Sequence, residues 1–257
     1  MAKYAPQYNT FQIVLKLDHI NKIMIWTVFT LSLLPYFFKQ IWWDSKNSDI
    51  AVQTIEYLNI TLLIIGFILN AIKDYHLFPL AERKRRKDLI DNAFSTKYSL
   101  KNSEEYYTNE EVKPGINKLG VNLFQNLFFT VTVAKGMRAK VIVKSSLFLV
   151  VFILMAIYGF KNSPLALPTL QILFSAFVLG DLIKLLLFIH RNEIILENVQ
   201  QYFSEAQNNE ATILKSFVEY ETNLSWASIL LDGKVFNKIN DQTEMEWQLI
   251  KEKYQIQ

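Results

Sequence analysis

The sequence predicts an all-α membrane protein: four transmembrane helices arranged as two hairpins, with a helical cytoplasmic region built from the central insert and the C-terminal tail. Three observations carry this. The 257-residue chain is 51% hydrophobic with a mean hydropathy of +0.14, yet 20% of it is charged, a mixture that fits several spans joined to an aqueous portion. Its apolar runs reach the roughly 20 residues that a helix needs to cross the hydrocarbon. Its cations gather between the second and third of those runs rather than being spread evenly.

Residues 1–22 form a cytoplasmic N-terminal segment. Phe11, Val14, Leu15 and Leu17 interleave with Lys16 and Asp18, which predicts a short amphipathic helix, either flat at the interface or packed on the cytoplasmic domain. No small-residue cleavage site follows the first apolar run, so no removable signal is expected. The first hairpin occupies 23–72. Its first span is Ile23 to Ile41, with Pro35 expected to kink it and Trp42 and Trp43 placed in the aromatic belt. A polar loop from Asp44 to Asp49 leads to the second span, Val52 to Ile72. Glu56 and Asn59 sit near its outer end, where polar groups cost less than at the midplane.

The insert spans 73–140. Ala81 to Phe94 is helix-compatible, with Lys84–Asp88 and Lys87–Asp91 at i,i+4 spacing. Ser95 to Asn109 is polar, and Pro114-Gly115 is a breaker. In Ile116 to Met137 the apolar run is interrupted by Asn122, Gln125 and Asn126, which favours a buried cytoplasmic helix, with a re-entrant segment as the alternative. The second hairpin, 141–189, comprises Val141 to Phe160, a turn at Lys161 to Pro164, and Leu165 to Ile189. The tail, 190–257, carries helical stripes at Ile195, Val199 and Phe203 and at Ile213, Phe217 and Leu224. A break at Asp232-Gly233 precedes a last helix with Met245, Trp247 and Ile250.

Orientation follows from the cations. Lys73, Arg83, Lys84, Arg85, Arg86, Lys87, Arg138, Lys140 and Lys144 lie between spans two and three, against Lys39, Lys46 and Lys161 at the outer loops. The positive-inside rule places the insert and both termini in the cytoplasm of a multi-pass protein of the cell membrane.

The five consecutive cations from Arg83 to Lys87 have a plain role as a topology signal that also binds anionic lipid headgroups. A sharper role is a phosphorylated ligand held by Arg83, Arg85, Arg86 and Lys87 with Asp91 and Asn92, since a guanidinium grips phosphate oxygens bidentately. Duplex nucleic acid is not expected, because the patch is short and mixed with acids. Asp181 and Lys184, three residues apart within the fourth span, are either a self-neutralised pair or part of a water-filled path. Tyr106-Tyr107 and Phe124, Phe128 and Phe129 are aromatic enough to stack a base, although such runs more often belong to a packed core.

Enzyme signatures are sparse. Seven glycines stand singly, without a phosphate-binding loop or nucleophile elbow, and cysteine is absent. His19, His76 and His190 have no metal-ligand spacing, and Asp88 with Asp91 at i,i+3 suits a solvated helix as well as Mg²⁺. No catalytic residue, metal or cofactor is expected.

The layout resembles the four-transmembrane, pore-forming effectors of bacterial cyclic-oligonucleotide (CBASS-like) antiphage systems. The resemblance rests on the order of hairpin, insert, hairpin and tail. It also rests on Arg83 to Asn92, Tyr106-Tyr107 and the run Asn-Leu-Phe-Gln-Asn-Leu-Phe-Phe-Thr from Asn122 to Thr130. It implies a homo-oligomer in the bacterial inner membrane that permeabilises the bilayer when a cyclic oligonucleotide made during infection binds its cytoplasmic part. A small-solute transporter or channel without nucleotide control, and a membrane-anchored scaffold, are the alternatives.

Overall fold

In the computed structural model, residues 5–41, 46–104, 106–107, 109–158, 178–205 and 209–256 are described, and they form an all-helical chain with no strand among them. The elements are α1 (Tyr8–Ile41), α2 (Lys46–Ile72), a π-helical turn (Lys73–Leu77), α3 (Phe78–Phe94), α4 (Ile116–Tyr158), α5 (Val178–Ser204), α6 (Glu210–Ala227) and α7 (Gly233–Lys253). They divide into two units, one of residues 12–77 and 142–181 and the other of the remaining chain. The boundaries expected from sequence lay at 22/23, 72/73, 140/141 and 189/190; the units divide at 11/12, 77/78, 141/142 and 181/182.

In the first of these units α1 and α2 form an antiparallel hairpin pinned by polar pairs. Asp18 meets Lys73 at 3.2 Å, Asn21 donates to Asn70 at 2.9 Å, and Asn59 donates to Ser32 at 2.7 Å. Each partner moves back along α2 as its mate moves forward along α1, so a single register satisfies all three. Gly66 lies opposite Met24 and Asn21, where an added Cβ would make only ordinary van der Waals contact. Tyr57, Ile60, Ile64 and Phe67 are exposed on α2.

Among the described residues, one helical run is long and apolar enough to cross a membrane. It extends over Asp49–Phe94, and its most apolar window has a mean hydropathy of 1.9 with none of that window buried. Four transmembrane helices are therefore not established. The end of the third expected span, the turn after it and the first part of the fourth lie at 159–177, outside the described residues.

The run from α2 into α3 changes hydrogen-bond register at Lys73–Leu77. Pro79 accounts for this: it has no N–H to offer the carbonyl of Tyr75, so the ladder widens by one residue there. Two sequence expectations change. The N-terminal amphipathic stretch is not a separate helix, because α1 continues from Tyr8 through Asn21 to Ile41. Ile116 to Met137 and the third expected span are likewise one helix, α4, since Arg138 and Lys140 are good helix formers that stay exposed on its surface.

The second unit is built around Phe124 of α4, which is fully buried. Its ring stacks on Phe203 at 5.7 Å and meets Trp247 and Tyr254 edge-on at 5.4 and 5.5 Å. Leu89 of α3, Leu123 and Leu127 of α4, Val199 of α5 and Ile213 of α6 complete the core. Phe124, Phe128 and Phe129 thus belong to the packed core rather than to an open stacking platform. A buried amide chain runs beside it: Asn109 donates to Asn122 at 3.0 Å and to Gln125 at 2.9 Å, and Asn122 donates to Asn92 at 2.7 Å. Asn122 and Gln125 are two of the polar residues that interrupt the apolar run of α4. They are tolerated because Asn109 and Asn92 partner them.

Candidate functional site

The basic helix α3 places its five cations in unlike surroundings, because consecutive residues point about 100° apart around a helix. Arg83 is exposed and Lys87 half-buried, and neither has an ionic partner among the described residues. Lys84 turns back to Thr10, donating at 2.8 Å. Arg85 points inward. Its Nε and Nη2 donate to Oε2 of Glu82 at 3.1 and 2.9 Å, and Nη2 also donates to Oε2 of Glu221 on α6 at 2.6 Å. The three side chains are only 12%, 7% and 9% exposed, so this is a buried ion triad.

Tyr220 covers the triad, with the Arg85 guanidinium 5.8 Å from its ring centroid and its hydroxyl 3.0 Å from that of Thr130. Arg86 is half-buried at the edge. Its Nε lies 3.9 Å from the same Glu221 oxygen, and Nη1 is 3.4 Å from Ser225. Oε1 of Glu221 is buried without a hydrogen-bond partner among the described residues. Burial pushes the Glu221 carboxyl above the ordinary glutamate range, and the attraction of Arg85 only partly offsets this. Arg85 is held well above its ordinary value by Glu82 and Glu221 in spite of its own burial.

The acids of α3 do not pair with the cations one turn before them, as the i,i+4 spacing had predicted. Asp88 is buried and accepts from the backbone N–H of Ser103 at 2.8 Å. Burial raises its carboxyl above the usual aspartate range, and neighbouring Asp91 adds to the effect. Asp91 accepts from the Thr96 hydroxyl at 2.7 Å and from the N–H groups of Tyr98 and Ser99 at 2.8 and 2.6 Å. Although burial opposes it, those bonds hold Asp91 below the ordinary carboxylate value. Asn92 joins the amide chain through Asn122. Asp91 and Asn92 are thereby committed to holding the loop after α3 and the amide network.

Of the expected ligand-binding residues, then, α3 brings Arg83, Arg86 and Lys87 to the solvent side, while Arg85, Asp91 and Asn92 serve the interior. Asp181 and Lys184 are both exposed on α5. No group of acidic, histidine or cysteine side chains suited to a metal occurs among the described residues. Sequence reasoning missed Glu82 and Glu221. The first adjoins the cation run and could have been paired with Arg85 by its i,i+3 spacing; the second is 136 residues from Arg85 and leaves no local signal. Comparison with family models, curated proteins and solved structures finds no match.

Proposed function

We propose that this protein is a non-enzymatic, multi-pass effector of the bacterial inner membrane, with both termini in the cytoplasm. Its oligomer permeabilises the bilayer when the cytoplasmic part senses a cyclic oligonucleotide or related nucleotide. The observation that carries this reading is the continuity of Asp49–Phe94, an exposed apolar helix running directly into the arginine cluster. A ligand drawn to Arg83, Arg86 and Lys87 acts on the same helical run that enters the hydrocarbon. Such a ligand shifts the closed–open equilibrium only by its difference in affinity for the two states. Arg85 has a different part: with Glu82 and Glu221 it ties α3 to α6, so movement of one is felt by the other. Asp181 and Lys184 line the path in the open state. The test is nucleotide-triggered release of dye from vesicles carrying the full chain.

A further inference from the structure

The 78–141 and 182–257 parts of the chain carry a second surface that the arginine cluster does not account for. Leu185, Phe188 and Ile189 of α5 pack with Ala134, Met137, Ala227 and Ile229. On the other side of α5, beyond the fourth expected span, Ile194 is 45% exposed. In the segment after α6, Ile229 and Leu231 pack against that cluster, while Leu230 between them is half-exposed. Asp232 ends it, fixed by Lys140 at 3.0 Å. Trp226, 43% exposed, has the Arg191 guanidinium 4.4 Å from its ring centroid. Arg138 and Lys234 are exposed and without acidic partners among the described residues.

We propose that this surface seats on anionic phospholipid headgroups, with Leu230 and Trp226 entering the interfacial layer. It combines three features that an anionic bilayer surface satisfies together. Exposed aliphatics need a place away from water. A tryptophan paired with an arginine suits the headgroup level, where one side is apolar and the other wet. Unpaired cations on aliphatic stems bury the stem and leave the charge among lipid phosphates. An apolar partner alone would leave the cations uncompensated, and an acidic partner alone would leave the aliphatics wet. The proposal rests on the membrane assignment above, and adds a lipid-charge dependence to it.

Because the chain has no cysteine, single cysteines can be placed for spin labels without removing native ones. Leu230→Cys reports on the proposed surface, and Leu214→Cys, exposed at the start of α6, serves as a reference in the aqueous phase. The full-length variants are reconstituted in phosphatidylcholine vesicles with and without phosphatidylglycerol. The label at 230 is expected to lose access to a water-soluble relaxant several-fold, relative to 214, when phosphatidylglycerol is present. Adding Arg191→Gln should restore much of that access while insertion is unchanged. Equal access at 230 and 214 in both vesicle types overturns the proposal. So does protection at 230 without phosphatidylglycerol accompanied by dipolar broadening between labels, which marks an interface between copies instead. Dye release measured in the same vesicles separates the two levels: nucleotide-triggered leakage with a water-exposed label at 230 refutes this surface alone.

Discussion

Arg85 of α3 and Glu221 of α6, 136 residues apart in sequence, meet at 2.6 Å in a site with little access to water. Glu82 shares the same guanidinium, so two carboxylates face one cation, with Arg86 at the edge. Desolvating three charges is costly, and the arrangement persists because each has a close partner. It therefore specifies how α3 and α6 pack more than it stabilises the fold.

Removing the central cation leaves both acids buried without it. Arg85→Ala is expected to destabilise the protein by about 3–5 kcal/mol, the range for breaking a buried ion pair from one side. Denaturant unfolding in detergent checks this. A loss no larger than that of an exposed-arginine control such as Arg83→Ala would show that the triad does not hold α3 to α6.

Glu221 gives the triad a pH dependence. Its carboxyl lies above the ordinary value of 4.5 because of burial, partly opposed by Arg85. The folded state thus holds that proton more tightly than the unfolded chain, and this group's contribution to stability falls as pH rises from 4.5 through the folded pKa. Glu221→Gln still accepts from Arg85 but does not ionise. Its thermal midpoint relative to the parent is expected to be least favourable near pH 4.5 and to improve toward neutrality. A difference that stays constant with pH would remove Glu221 from the account.

Asp91 works in the opposite sense. Bonds from Tyr98, Thr96 and Ser99 hold it low against the pull of burial, so its stabilisation is present above 3.8 and lost as pH falls through the folded pKa. Asp91→Asn turns an amide NH₂ toward donors and is expected to cost about 2–3 kcal/mol. Hydrogen exchange at Tyr98 and Ser99 should accelerate at neutral pH. Unchanged exchange there would mean the loop is held by other contacts.

Asp181 and Lys184 are opposite charges assigned to one conducting path. Asp181→Ala is expected to shift the reversal potential of the open state toward anion selectivity, and Lys184→Gln toward cation selectivity, in planar bilayers under a salt gradient. Both variants behaving like the parent would place α5 outside the path.

Much of the helical layout was legible in the sequence, because the apolar runs and their polar breaks are local features. The breaks themselves were harder to interpret. Arg138 and Lys140 look like a boundary between two segments, yet both favour helix and need only an exposed face, so α4 continues through them. Asn122 and Gln125 did mark a buried stretch of helix, but their partners Asn109 and Asn92 come from other segments. The same limit applies to the basic cluster. Five adjacent cations look equivalent in sequence, whereas helix rotation hands Arg85 to Glu82 and Glu221 and leaves Arg83 in solvent. The polar register of α1 against α2 was hidden for a related reason: Asn21, Ser32, Asn59 and Asn70 carry no pairing signal until two helices are laid side by side.

We propose that a nucleotide ligand opens a path through the membrane in this protein, and vesicle leakage tests this most directly. Full-length protein reconstituted in dye-loaded vesicles should retain the dye until a cyclic oligonucleotide is added, then release it, and Arg86→Ala should insert normally but fail to respond. Vesicles that stay tight across a panel of cyclic oligonucleotides, or leak equally without any, would contradict it.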